Sequence, residues 1–102
     1  IPANGLPRSR GGDLETVGNM LKSIGDKKRL EILRRLADAP SYGLELAEDL
    51  GMDSGHMSRI LSQMHGYGFL IEEKDRLRVY YRTDREAIRS FLDMVENTIF
   101  PN

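Results

Sequence analysis

The segment from Asp53 to Tyr67 constrains the fold most, because it predicts a helix with two incompatible faces. Asp53 suits the N-cap position, where its carboxylate accepts from the open backbone amides of the first turn. At about 100° per residue, one face carries an apolar stripe, formed by Met57, Leu61 and Met64 with Ile60 at its edge. The opposite face carries small and hydrogen-bonding side chains, namely Gly55, Ser58, Arg59, Ser62 and Gln63.

This polar face is typical of a helix that approaches another surface closely. Small residues stand where an exposed helix usually carries Glu and Lys. Arg and Gln are the side chains suited to bidentate contacts with guanine and adenine edges. We therefore predict a DNA recognition helix in which Arg59 and Gln63 contact bases. The alternative for Arg59 is an ordinary solvated surface arginine.

Two amphipathic helices are predicted near the start of the chain. Apolar residues recur at helical spacing from Asp13 to Ile24, and Gly25 is a usual C-terminal stop. Asp26 is placed to cap a second helix, Lys27–Asp38, which Ala39-Pro40 ends.

A short third helix completes the pattern that precedes the recognition helix. Ser41 is predicted to cap this helix, which runs to Leu50 and ends at Gly51. A helix, a turn of about four residues containing Gly and a second helix together form a helix-turn-helix pattern.

A β-hairpin is predicted after the recognition helix. Its strands are Phe69–Glu73 and Leu77–Arg82, joined by a turn at residues 74–76. Phe69 and Ile71 are expected to share a side with Val79 and Tyr81. Basic residues near the tip are predicted to hold DNA phosphates, namely Lys74, Arg76 and Arg78.

A last helix is predicted to about Ile99. It opens with the capping box Thr83 to Glu86, in which Thr83 is the N-cap. Its apolar stripe consists of Ile88, Phe91, Leu92, Val95 and Ile99.

Composition limits the remaining possibilities. The 102 residues suffice for one domain with a modest core. Without cysteine there is no disulfide, thiolate ligand or thiol switch. No apolar run approaches the roughly 18 residues of a membrane span, and the start has no signal-peptide pattern, which fits a cytoplasmic protein. The net charge of −1 argues against nucleic-acid binding, but residues 54–82 carry five bases against three acids, so a basic face remains available.

The start of the chain is predicted to be a flexible arm over residues 1–12, followed by a DNA-binding domain over residues 13–100. Arg8 and Arg10 are candidate phosphate contacts, with a disordered tail as the alternative. Because the chain begins with Ile rather than Met, we expect a piece of a longer protein or a trimmed chain.

Three segments carry a resemblance to a known family. They are residues 24–33, IGDKKRLEIL; Leu46–Met52 followed by Met57–Leu61; and Gly68–Leu70 with Arg78–Arg82. Together they resemble the ArsR/SmtB family of bacterial winged-helix transcriptional regulators, over about residues 21–95. The resemblance implies a mainly α fold with a β-hairpin: a winged helix-turn-helix of about five helices and a two-stranded wing.

The resemblance also implies sites. Family DNA contacts correspond to Ser54, Gly55, His56, Ser58, Arg59 and Ser62, while Ile60 stands where members often have His. The family dimerises through its first and last helices, which implies an interface at Leu14, Val17, Leu21, Ile88, Phe91, Leu92 and Val95. The alternative is that these outer stripes pack only within the monomer.

Many members sense metal ions, but the residues of the usual sites are missing. The helix before recognition has no cysteine between Ser41 and Leu50, and the last helix has no His. His56 and His65 lie nine residues apart on different sides of one helix, so they do not converge on a metal. The methionines at the stripe spacing are assigned to the core. We therefore expect neither a metal nor another cofactor.

The function predicted is a sequence-specific DNA-binding transcriptional regulator, a repressor, which binds an inverted-repeat operator as a homodimer. Its predicted partners are double-stranded DNA and a second copy of itself. No membrane association is expected, and the inducer is not identified. No catalytic constellation is present, so the chain is predicted not to be an enzyme. The alternative is a winged-helix interaction or dimerisation module without DNA binding. A third possibility places an inducer site in an N-terminal domain outside this sequence.

Overall fold

The computed structural model describes residues 12–101, so Arg8 and Arg10 lie outside the described residues. This part of the chain contains five helices and three short strands. The helices are α1 (Leu14–Ile24), α2 (Lys27–Asp38), α3 (Gly43–Leu50), α4 (Ser54–Gly66) and α5 (Arg85–Ile99). The strands are β1 (Ser41–Tyr42), β2 (Leu70–Asp75) and β3 (Arg78–Thr83), which form an antiparallel sheet in the order β1-β3-β2. The predicted helices and hairpin are confirmed, and β1 adds a third strand.

Aspartates fix where four of the helices begin. Asp13, Asp26, Asp53 and Asp84 each accept a hydrogen bond from the backbone N–H three residues further on. Each bond satisfies one of the amides that the first helical turn leaves without an intrahelical partner. The caps predicted at Asp26 and Asp53 are confirmed.

The prediction that Ser41 caps α3 is wrong. Ser41 is buried in β1 opposite Tyr81, and its Oγ donates to Glu45 Oε1 over 2.7 Å. Pairing with β3 holds residues 41 and 42 extended, so the helix begins at Gly43, one residue later than predicted. Tyr42 occupies the N-cap position without a capping side-chain bond.

The prediction that Thr83 is the N-cap of the last helix is wrong. Thr83 is the last residue of β3, paired with Leu70, and its Oγ1 donates to the Leu33 carbonyl oxygen over 2.7 Å. Because Thr83 lies in the strand and its hydroxyl donates to Leu33, it does not cap the helix. Asp84 is the N-cap of α5.

The hairpin turn also differs from the prediction. Lys74 and Asp75 belong to β2 and face Val79 and Arg78 of β3, which leaves a turn of Arg76 and Leu77. Arg76 has φ of 58°, the left-handed conformation that such a tight turn requires.

The prediction that Ile71 shares a face of the sheet with Val79 and Tyr81 is wrong as well. Ile71 pairs with Arg82, whereas Val79 and Tyr81 pair with Lys74 and Glu72. Directly paired residues share a face and neighbours along a strand alternate, so Ile71 lies opposite to Val79 and Tyr81.

The core lies where α4 meets the helices around it and the base of the wing. The predicted stripe of α4 is confirmed: Met57, Ile60, Leu61 and Met64 are all buried. Phe69 stacks edge-to-face on Phe91 with ring centroids 5.1 Å apart, so the entry to the wing is packed against α5.

Candidate nucleic-acid interface

The turn between α3 and α4 sets how these two helices are joined. Gly51 has φ of 64° and ψ of 38°, and its N–H donates to the Glu48 carbonyl oxygen. The Met52 N–H donates to the Ala47 carbonyl oxygen over 2.8 Å. These two bonds form a Schellman motif, which requires a left-handed residue at this position and satisfies the last carbonyls of α3.

The predicted contact face of α4 is exposed along its whole length. All seven predicted residues of α4 are exposed, namely Ser54, Gly55, His56, Ser58, Arg59, Ser62 and Gln63. A Cβ added at Gly55 would lie 3.1 Å from Asp53 Oδ2, so glycine leaves room for the capping carboxylate of Asp53.

Arg59 is the free cation of this face. Within residues 12–101 its guanidinium has neither an ion pair nor a hydrogen-bond partner. An exposed guanidinium without an internal partner keeps all five N–H donors available to a ligand.

Gln63, by contrast, is already engaged. Arg29 Nη1 donates to Gln63 Oε1 over 2.6 Å and to the Ser23 carbonyl oxygen over 3.1 Å. The same Arg29 lies 3.6 Å from the carboxylate of Asp26. The Gln63 amide, for which a base contact is predicted, therefore already accepts one hydrogen bond within the chain.

The three predicted basic residues of the wing occupy different places. Arg76 lies in the turn, whereas Lys74 and Arg78 lie on opposite faces of the sheet, since Lys74 pairs with Val79. The Arg78 guanidinium lies 4.3 Å from the ring centroid of Tyr42, a cation–π distance. A hydrogen bond with Tyr80 and the charge of Tyr42 raise the pKa of Arg78.

The aromatic support of Arg78 was missed by sequence reasoning. Tyr42 and Tyr80 are directly paired across β1 and β3, with ring centroids 5.4 Å apart. The signal was a tyrosine immediately before α3, but its pairing with the wing depends on a strand register that sequence periodicity does not supply.

A cleft separates α4 from the wing. Its volume is about 370 Å³ and its lining includes Ser54 and Ser58 together with Tyr81 of β3. Burial raises the pKa of Tyr81, and Glu72 adds to the increase through its charge and a hydrogen bond. Tyr81 therefore borders the same cleft as Ser54 and Ser58, and sequence reasoning did not assign it to the site.

Acidic residues of the wing are partly neutralised within the chain. Arg82 Nη2 lies 3.8 Å from Glu73 Oε2, diagonally across the hairpin. This exposed pair reduces the repulsion that Glu73 would exert on a phosphate, and Glu72 is drawn toward Tyr81.

The predicted dimer residues separate into two groups. Val17 and Phe91 are only 4% and 2% exposed, because they pack within the core of the single chain. Leu14, Leu21 and Leu92 are exposed, and Ile88 and Val95 are half-buried. Ile99 and Phe100 extend the exposed apolar surface at the end of α5.

The described residues show neither a metal cluster nor a membrane-crossing helix. In residues 12–101, no three His, Asp or Glu side chains are grouped so that they could hold a metal ion. No helix in this range is long and apolar enough to cross a membrane.

Comparison with known proteins was made at the level of sequence and of structure. No family model matches the chain. The HTH-type transcriptional regulator YgaV of Escherichia coli K12 is 27% identical over 88 residues, which covers 85% of this chain and 89% of that protein. The crystal structure of a predicted DNA-binding transcriptional regulator from E. coli has 27% identity and a TM-score of 0.63, and the match covers 82% of this chain and 90% of that one.

Two further solved structures carry the name of the family. An ArsR-like transcriptional regulator from Rhodococcus sp. RHA1 has a TM-score of 0.72 and 18% identity, with 86% of this chain and 83% of that one covered. The homodimeric winged helix-turn-helix DNA-binding domain of a possible ArsR-family regulator from Mycobacterium bovis has a TM-score of 0.66 and 24% identity, with 87% and 82% covered.

This chain has the ArsR-type winged helix-turn-helix fold. The resemblance drawn from the three sequence segments is thereby confirmed. In this fold, α3 and α4 form the helix-turn-helix, and β2 and β3 form the wing. The similar proteins are transcriptional regulators, in agreement with the prediction that this chain is not an enzyme.

Proposed function

We propose that this chain is a sequence-specific DNA-binding transcriptional regulator that represses its target by occupying an inverted-repeat operator as a homodimer. One observation carries the proposal: α4 presents an exposed face of small residues around Arg59, whose guanidinium has no partner in residues 12–101. The names of the similar regulators support the same function.

The proposed contacts follow from this geometry. Two recognition helices would enter successive major grooves about 34–36 Å apart. Arg59 would contact a base edge, since its donors match the acceptors of guanine. Lys74, Arg76 and Arg78 would contact backbone phosphates and position the helix. Ser54 and Ser58 line the cleft beside the wing, and their hydroxyls would donate to a phosphate.

Exposed apolar residues on α1 and α5 support the homodimer. Leu14 is 77% exposed and Leu92 is 56% exposed. Large apolar side chains grouped on one surface indicate a protein interface. We propose that the interface uses Leu14, Leu21, Ile88, Leu92 and Val95, while Val17 and Phe91 support it from within the core.

A second candidate is an interaction module without DNA binding. The net charge of −1 and the carboxylate of Glu72 at the wing favour it. Salt dependence distinguishes the two functions, because phosphate contacts release counterions and DNA affinity must fall steeply as salt rises.

In vitro selection of bound duplexes, with the mass of the complex measured, tests the proposal. We expect an inverted repeat bound by two chains with a steep salt dependence. Arg59→Ala should cost about 1–3 kcal/mol on the selected site and relax the sequence preference. Arg34→Ala, an exposed arginine of α2, is the matched control for lost charge. Absence of binding to every duplex at low salt would reject the function, and an equal loss on random DNA would reject base contact by Arg59.

A further inference from the structure

We propose that Arg29 is a positioning residue for the recognition helix. Its guanidinium ties Gln63 of α4 to the end of α1, and this bridge fixes the angle of α4 relative to the helices that pair the two chains. The inference depends on the proposed function, because it concerns how the homodimer matches the spacing of two DNA half-sites.

The bridge consists of Ser23, Asp26, Arg29 and Gln63. Arg29 Nη1 donates to the Ser23 carbonyl oxygen over 3.1 Å and to Gln63 Oε1 over 2.6 Å. Asp26 caps α2 through the Arg29 N–H and holds the side chain of Arg29 from the other side, with Oδ2 3.6 Å from Nε. One side chain therefore connects three helices.

At Ser23, Arg29 contacts a backbone carbonyl that has no hydrogen-bond donor within α1. Ser23 is in the last turn of α1, where carbonyl groups have no intrahelical donor. Ser23 is 1% exposed, and its own Oγ donates back to the Met20 carbonyl oxygen. An unsatisfied buried carbonyl is costly, so the contact with Arg29 stabilises this corner of the fold.

The bridge changes the role predicted for Gln63. Bidentate contact with adenine needs the amide oxygen to accept and the amide nitrogen to donate. Here the oxygen accepts from a cationic donor over 2.6 Å, and charge-assisted bonds of this kind are among the stronger ones. That bond occupies one of the two lone pairs of the amide oxygen and ties the amide to Arg29, so a contact with adenine would compete with it. Gln63 thus belongs to the support of α4, and Arg59 is left as the base-contacting residue.

The bridge affects the separation of the two recognition helices because it joins α1 to α4. α1 carries the exposed Leu14 and Leu21 of the proposed dimer surface, whereas α4 carries the DNA-contacting face. A fixed angle between them fixes the separation of the two recognition helices in the dimer. Loss of a base contact would weaken binding to the selected repeat equally at every half-site spacing, but loss of the bridge would weaken the preference for one spacing.

The experiment compares Gln63→Met, Arg29→Met and their double variant with the wild-type full chain. Binding is measured to the selected inverted repeat and to two versions whose half-sites are one base pair closer or further apart. Met keeps the length of the Gln side chain but removes the acceptor. Arg34→Met removes a charge from the exposed side of the same helix and is the matched control.

We expect the wild-type protein and Arg34→Met to prefer the native spacing, and both bridge variants to lose most of that preference. The double variant should be no worse than Arg29→Met alone, because the effects of contacting residues are not additive, whereas independent losses of about tenfold each would multiply. If Arg29→Met does not fold, as judged by circular dichroism, Gln63→Met alone decides, since it leaves the Ser23 and Asp26 contacts in place.

Gln63→Met with an equal loss at all three spacings would overturn the bridge and show a direct base contact. Additive losses in the double variant would overturn it as well. A wild-type protein that binds none of the duplexes would reject the proposed function itself, and the bridge as a DNA-positioning device with it.

Discussion

Adding the same methyl group at two glycines should change stability in opposite directions. Gly51 has φ of 64°, and a Cβ added there meets nothing within 4 Å. The left-handed conformation costs an L-residue about 1–2 kcal/mol. Ala also lowers the conformational entropy of the unfolded chain, which stabilises the folded state by about 0.4–1 kcal/mol. We expect Gly51→Ala to lower the free energy of unfolding by about 1 kcal/mol, or about 4–8 °C in Tm.

Gly66 is the matched control. It ends α4, a Cβ there also meets nothing within 4 Å, and it is not among the positive-φ glycines. Gly66→Ala should therefore raise the free energy of unfolding by about 0.4–1 kcal/mol. Gly51→Asn should lose less than Gly51→Ala, because Asn tolerates the left-handed region. Urea and thermal unfolding at one fixed protein concentration measure all three variants. Shifts of the same sign for the two Ala variants would refute the conformational argument.

Two further predictions concern the proposed dimer and the pH dependence of stability. Leu92 of α5 is 56% exposed, and Leu92→Glu should convert the proposed dimer to a monomer in light-scattering mass measurements. Leu77 in the wing turn is 99% exposed, and Leu77→Glu should leave the mass unchanged. A dimer that survives Leu92→Glu would contradict the proposed interface. Burial raises the pKa of Tyr81 above its ordinary value of 10.0, so the stability it contributes is complete below that pH and declines as the pH rises through and beyond it. Tyr81→Phe should make urea midpoints fall less steeply above pH 10, and an unchanged slope would show that Tyr81 is not responsible.

The helices of this chain were predictable because local signals agree there. Asp26 and Asp53 are caps in the sequence pattern and in the structure. The stripe of Met57, Ile60, Leu61 and Met64 repeats at helical spacing and is buried. Periodicity and capping act within a few residues, so they can be read along the chain.

The errors occur where a distant strand or helix competes with a local signal. Ser41 and Thr83 are both good cap residues, but β1 pairs with β3 and Thr83 donates to Leu33 across 50 positions. The turn of the wing moved because the register of β2 and β3 brings Lys74 opposite Val79. A register is a pairing between separate segments, and short strands with mixed polarity specify it weakly.

In the recognition helix, local sequence predicts some properties and tertiary packing decides others. Local sequence was enough to predict that Asp53 to Tyr67 is helical and which face is buried, since both depend on spacing along a single helix. The roles of its exposed residues depend on what other helices place beside them. Within residues 12–101 Arg59 has no partner, whereas Gln63 has one. The fold brings Arg29 of α2 within 2.6 Å of the Gln63 oxygen, from 34 residues away along the chain. Hydrogen bonding over that separation depends on packing, which no pattern within α4 contains.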